Sequence, residues 1–258
     1  MQSNMANLAE LDCQRWIGHF INNKKDRSEP DWAAPLNVPA KARAALTQSV
    51  VEFELGDGGG PASLIAFNRE TFRSSSEEVR QIVDLWFAEE AEHSRLLGRC
   101  TERLGGTPID THWSFELFCA LRKWLGVSIE LQILTLTELV STSYYTVLRR
   151  HCDDEALREA WRLILHDESG HVAFHNDRLA AMGRSRYGIR GRLWSIQFKT
   201  CGLAAASVLW SSHGRCMNLL GASAPEFFAD VARQIDGFLD NLDEKAARLG
   251  AMSLVPGG

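Results

Sequence analysis

Two glutamate–histidine pairs with the same spacing are the residues of this chain best suited to chemistry. Glu90 is followed three residues later by His93, and Glu168 is followed in the same way by His171. A step of three on a helix keeps both side chains on one face, so a carboxylate and an imidazole can bind one metal ion together. Each pair is therefore a candidate half of a metal site.

Both pairs lie within apolar stripes of helical spacing. Steps of three and four through the first pair give Val79, Val83, Trp86, Leu97, Cys100 and Leu104, and steps through the second give Leu157, Trp161, Ile164 and His175. A buried carboxylate without a partner costs several kcal/mol. A metal ion is one such partner; two buried Glu–His hydrogen bonds without metal are the alternative.

Glu138 is the single acid in a third apolar stripe, which contains Trp124, Val127, Leu131, Leu134, Ser141, Tyr145 and Leu148. Residues 138 and 168 are equally distant from residue 153, where a turn is predicted, so an antiparallel hairpin would place Glu138 and Glu168 at the same height. The preceding helix pair has its predicted turn near residues 74–76. Equal distance from that turn favours Asp57 as the partner of Glu90. Glu54, one turn earlier, is the alternative.

The resulting set of four carboxylates and two histidines suits iron, or manganese, better than structural zinc. Its order along the chain resembles the ferritin-like di-iron superfamily over about residues 40–180. The motifs Ala88–Leu97 and Asp167–His171 look most like acyl-carrier-protein desaturases and related oxidases. That resemblance implies that Glu89 and Asp167 hydrogen-bond the ligand histidines; plain surface charge is the alternative.

Two further side chains are candidates near the site. His175 lies one turn beyond His171 on the same stripe, which suits a third histidine ligand, a proton donor or a satisfied core histidine. Tyr145 follows Glu138 on its face by about two turns and is either a substrate-facing phenol or a packing residue.

The elements that position these residues are predicted to be helices almost throughout, because long segments of period 3.6 dominate. An amphipathic helix covers residues 8–23. A long helix starts near Ala40, and Ser75-x-x-Glu78 is a capping box that opens the next helix, which ends at Gly105-Gly106. Further helices are expected at 114–150, from the Cys152–Asp154 turn to about Gly183, at 191–220 and at 225–249. We predict an all-α single domain: an N-terminal helix and arm (1–38), a ferritin-like four-helix bundle (39–183) and additional C-terminal helices (184–258).

Composition narrows the class of protein. The net charge of −5 gives no electrostatic case for nucleic acid. Six scattered cysteines without a Cys-x-x-Cys motif are typical of free thiols in a reducing compartment. With neither a signal peptide nor a membrane span in the sequence, we expect a soluble cytoplasmic protein.

The resemblance implies a non-haem di-iron oxidase or oxygenase with two iron ions and O2 as co-substrate. It would oxidise a small organic molecule by hydroxylation, desaturation, C–C cleavage or N-oxygenation, with electrons from a ferredoxin or a reductase. A homodimer is expected. The alternative function is a ferritin-like ferroxidase that handles iron.

Overall fold

The computed structural model describes residues 11–25, 27–58 and 76–252; within these ranges the side chains of 57, 58, 118, 121–130, 251 and 252 are not described. All regular elements of this part are α-helices, which confirms the all-α prediction. They are α1 (Cys13–Asn23), α2 (Ala40–Gly58), α3 (Glu77–Leu104), α4 (Trp113–His151), α5 (Glu155–Ala181), α6 (Gly188–Leu220) and α7 (Ala224–Met252).

The ends of α3 follow local sequence signals. Its N-cap is Ser76, whose hydroxyl accepts a hydrogen bond from the Val79 amide at 3.4 Å. The predicted capping residue, Ser75, lies outside the described residues, so the observed cap is one residue later than predicted. At the other end Gly105 adopts a left-handed conformation with φ 76°, which confirms the predicted stop because glycine takes this conformation without strain.

A tight turn at residues 152–154 makes α4 and α5 antiparallel, as predicted. Asp154 caps α5 by accepting from the Leu157 amide at 3.0 Å and from the Asn37 amide at 2.9 Å. The same carboxylate receives two hydrogen bonds from Arg103 of α3, at 2.9 and 2.8 Å. Asp154 is fully buried, so this one residue fixes the start of α5 relative to α3 and the arm before α2.

The helices pack so that the predicted stripes face inward. α2 packs on α3 and α4 packs on α5, while α3 and α5 are in contact with each other. α6 lies against α2 and α4, α7 covers α4, α5 and α6, and α1 lies on α3 and α5. The buried stripe residues include Val83, Trp86, His93, Leu97, Cys100, Leu134, Glu138, Leu148, Leu157, Trp161, Ile164, Glu168, His171 and His175.

In the described part of the chain, no helix combines the length and the apolar character needed to cross a bilayer. The six cysteines form no disulfide.

Candidate metal centre

The two Glu-x-x-His pairs meet between α3 and α5, together with Glu138 of α4. His171 Nδ1 lies 3.2 Å from a carboxylate oxygen of Glu90 and 3.7 Å from one of Glu138, and these three residues could hold one metal ion. His93 Nδ1 lies 3.7 Å from Glu90 and 3.8 Å from Glu168. Such spacings between ligand atoms leave room for an ion at their centre.

Glu138 and Glu168 lie on the same side of His171, each with one carboxylate oxygen 3.7 Å from Nδ1, as their equal height on the antiparallel helices allows. Two buried carboxylates in contact cannot both ionise at little cost. Burial and the charge of Glu138 therefore raise the pKa of Glu168 well above its usual range. A cation bound between the two carboxylates would offset this repulsion.

Glu89 and Asp167 each contact the histidine of the opposite helix. Glu89 of α3 is 3.0 Å from His171 Nε2 of α5, and Asp167 of α5 is 3.0 Å from His93 Nε2 of α3. Both acids are buried, so they are not the surface charges of the alternative interpretation. Because each carboxylate accepts the proton of Nε2, it directs the lone pair of Nδ1 towards the carboxylate cluster.

Three residues that the sequence analysis missed complete this arrangement. Asn23, at the end of α1, donates from Nδ2 to both Glu89 (3.0 Å) and Asp167 (2.7 Å). Arg27 donates to Asp167 at 2.7 Å, and Trp86 donates from Nε1 to Glu90 at 2.9 Å. The position of Trp86, four residues before Glu90 on one stripe, was a usable signal. Nothing in the spacing of Asn23 or Arg27 links them to helices 60 or more residues away.

The charges around the histidines raise their pKa values. Burial alone would lower the pKa of His93, but its hydrogen bond to Asp167 and the charge of Glu90 raise it above the usual value. Burial would also lower the pKa of His171, but the charge of Glu138 and the hydrogen bond to Glu89 raise it well above the usual value. The carboxylates around the two rings thus favour a positive charge at this position.

Glu54 does not join the cluster. It accepts a hydrogen bond from Thr101 Oγ1 at 2.7 Å, and Thr101 lies eleven residues after Glu90 on α3, about 16 Å along the helix. Glu54, the alternative partner of Glu90, therefore lies too far along α3 to reach it. The side chain of Asp57 is not described, so its role as a ligand stays a prediction. Glu52, the other acid of α2, contacts His112 and His213 instead, at 3.4 and 3.8 Å.

The two further candidates lie in different surroundings. His175 is fully buried beside Trp86, with ring centroids 4.9 Å apart and edge-to-face geometry, and neither of its nitrogens has a hydrogen-bond partner. It does not belong to the group of Glu90, Glu138 and His171 that could hold a metal ion. Tyr145 is buried against Phe53 of α2 and against Tyr144.

No protein-family model matches this chain, and no curated protein and no solved structure is significantly similar to it. The assignment of a function therefore depends on the geometry of the cluster.

That geometry fits a metal ion. Three buried atoms without a hydrogen-bond partner converge on the cluster: Nδ1 of His93, Nδ1 of His171 and an Oε atom of Glu168. Native proteins rarely leave such atoms unsatisfied, and each costs about 1–3 kcal/mol. Carboxylate oxygens and imidazole nitrogens in this combination suit iron or manganese.

Proposed function

We propose that the protein is a non-haem di-iron oxidase or oxygenase and that α2–α5 form a ferritin-like four-helix bundle around its metals. The observation that supports this most is the convergence of Glu90, Glu138 and His171 in the apolar interior, with His93 presenting its own unpartnered nitrogen to the same carboxylates. In the proposal, this second histidine gives the cluster its second metal position.

The residues divide naturally between two ions. His171 and Glu138 would hold one ion and His93 the other. Glu90 and Glu168 would lie between the ions, since each has carboxylate oxygens within 4 Å of Nδ1 of both histidines. The His93 half lacks a carboxylate of its own among the described side chains, and this is the position for which Asp57 is predicted. When bound, the iron pair would supply activation of O2 and the oxidising power for the substrate.

The chain's own residues would hold the ligands and exclude water. Glu89 and Asp167 fix the histidine rings, and Asn23 keeps the two acids together. Trp86, Leu134 and Phe174 belong to a buried apolar group beside the cluster. Such surroundings favour an apolar organic substrate over a path for hydrated iron.

The first experiment measures metal content. The purified protein, incubated anaerobically with Fe(II) and desalted, is expected to retain about two irons per chain. Glu138→Ala and His171→Ala should lose most of this iron. Glu92→Ala is the matched control, because Glu92 is part of an ion pair with Arg95 at the surface of α3. Retention of less than one ion by well-folded wild type, or equal loss in the control, would reject the proposal. Parallel loading with Mn(II) distinguishes the two metals.

The second experiment separates an oxidase from a storage protein. On exposure to air, an oxidase should oxidise about two Fe(II) per chain and then stop, and light scattering should show a small oligomer, which we propose is a dimer. A cage of many subunits that goes on to load tens of irons per chain would favour ferroxidase and storage instead.

A further inference from the structure

Arg178 of α5 is a buried cation for which no described side chain supplies a carboxylate partner. Its side chain is 5% exposed. Nη2 donates a long hydrogen bond of 3.4 Å to Thr135 Oγ1, Nη1 lies 3.8 Å from the sulfur of Met182, and Nε has no partner. No acid among the described side chains forms an ion pair with it. Buried arginines are ordinarily paired, because removing the charge from water is costly.

A second unsatisfied group lies beside this cation. His175 precedes Arg178 by three residues, so the two side chains share one face of α5. Both ring nitrogens of His175 lack a hydrogen-bond partner, although the residue is completely buried. The nearby charge of Arg178 also lowers the pKa of His175, after the larger effect of burial, which keeps the ring neutral and able to donate one hydrogen bond.

His175, Arg178 and Thr135 follow the residues of the candidate metal cluster in one direction along α4 and α5. His175 lies one turn after His171 on α5, and Thr135 lies one turn before Glu138 on α4. Seven residues separate His171 from Arg178, or about 10 Å along the helix. An extended small organic acid such as hexanoate is about this long when its van der Waals radii are included. It could therefore contact Arg178 at one end and lie beside the Glu90–Glu138–His171 cluster at the other.

The walls beside this line are apolar. Trp86 contacts His175 edge-on, Phe174 has its ring centroid 5.5 Å from that of His175, and Leu134 is buried in the same group of side chains. A ligand here would place an apolar body against these residues and a single negative charge on the guanidinium. A carboxylate matches both requirements, since its two oxygens fit the planar fork of arginine and its charge balances one cation.

We propose that Arg178 and His175 bind the carboxylate of a small organic acid with an apolar body, and that this acid is the substrate of the metal cluster. The assignment of the acid as substrate rests on the proposed oxidase function, whereas the binding of its carboxylate does not. One guanidinium without a second cation among the described residues nearby suits a monocarboxylate better than a phosphate, which carries more charge.

The test is calorimetric titration with benzoate and with hexanoate, performed on metal-free protein and on anaerobic Fe(II)-loaded protein. Benzamide and inorganic phosphate are the comparison ligands. Wild type is expected to bind at least one of the two acids about tenfold more tightly than benzamide or phosphate, and Arg178→Met should lose about tenfold or more of that affinity. Arg162→Met, on the outer face of the same helix, should bind like wild type, because Arg162 is exposed and paired with Glu159.

Thermal unfolding gives a readout that a structural arginine would not produce. Because Arg178 is buried without a charged partner, Arg178→Met should raise the Tm of the metal-free protein by about 2–4 °C. Four outcomes would each overturn the carboxylate site. The Tm of Arg178→Met could fall, or wild type could bind neither acid. Wild type and Arg178→Met could bind the acids equally, or phosphate could bind more tightly than either acid. Iron content measured on the same samples tests the oxidase proposal separately: iron binding without acid binding rejects only the acid site, and acid binding without iron rejects only the oxidase.

Discussion

Asp167 of α5 contacts His93 of α3, with 3.0 Å between Oδ2 and Nε2. Glu89 of α3 makes the equivalent contact in the opposite direction, to His171 of α5, also at 3.0 Å. Each histidine is thus oriented by an acid that directly precedes the other pair's glutamate. Because each helix orients the histidine of the other, a displacement of either helix would disturb both histidines.

This crossed arrangement predicts the effect of removing either acid. Asp167→Asn and Glu89→Gln should each weaken Fe(II) binding by about 10–100-fold, because the ring loses the acceptor that fixes its orientation. Equilibrium dialysis of folded protein measures this. Glu159→Gln, on the same helix as Asp167 but paired with Arg162 at the surface, is the matched control and should bind like wild type. Unchanged affinity in both acid variants would show that ring orientation does not depend on them.

Variants of Glu54 and Asp57 can identify which carboxylate of α2 binds iron. Glu54→Gln should keep about two irons per chain, because Glu54 is engaged by Thr101 far along α3. Asp57→Asn should lose iron from the His93 half, since Asp57 is the carboxylate of α2 that the sequence analysis favours as the partner of Glu90. Metal analysis of the two variants measures how much iron each retains. Loss of iron in Glu54→Gln would reverse the assignment, and loss in neither would place the missing ligand outside α2.

Gly170 lies between the two residues of the second pair and has a packing role of its own. An alanine Cβ at this position would lie 2.5 Å from His19 Nε2 of α1. Because this contact is with the far end of the exposed His19 ring, Gly170→Ala should turn the ring towards solvent, cost about 1 kcal/mol or less of unfolding free energy and leave iron binding unchanged. Denaturant titration and metal analysis measure the two effects. Gly237→Ala on α7, where nothing lies within 4 Å, should instead stabilise the protein slightly.

The buried pair of Asp154 and Arg103 predicts a pH dependence of stability. Burial would raise the pKa of Asp154, but its hydrogen bonds from Arg103, Asn37 and Leu157 lower it below the usual value. The carboxylate therefore stabilises the fold above the pKa of an unfolded aspartate, about 3.9, and this contribution disappears as the pH falls through the lower folded value.

Asp154→Asn should accordingly cost about 2–4 kcal/mol of unfolding free energy at pH 7 and progressively less below pH 4. Urea titrations between pH 3 and pH 7 measure the difference. Asp153→Asn is the control, because Asp153 is exposed and only its backbone carbonyl is hydrogen-bonded, by Asn37. A cost that does not change with pH would show that the charge of Asp154 contributes nothing.

The sequence alone determined the local features of this protein. The spacing of Glu90–His93 and Glu168–His171 predicted paired side chains on one helix face, because a helix repeats every 3.6 residues whatever it packs against. Asp154 and Gly105 marked helix ends for an equally local reason: each satisfies or permits the backbone of its own turn. The short turn between α4 and α5 left little freedom in their relative height, so Glu138 could be matched to Glu168 by counting.

Only the tertiary structure decided which distant groups meet. Glu54, the alternative partner of Glu90, lies beside Thr101, because packing between α2 and α3 and not spacing in the sequence sets their relative height. The contribution of α1 was not visible, since Asn23 reaches Glu89 and Asp167 through packing between helices far apart in sequence. The burial of Arg178 could not be predicted either. A charged residue is expected at the surface when only the sequence is known, and the packed helices alone show that Arg178 is buried and that no described side chain supplies a counter-charge.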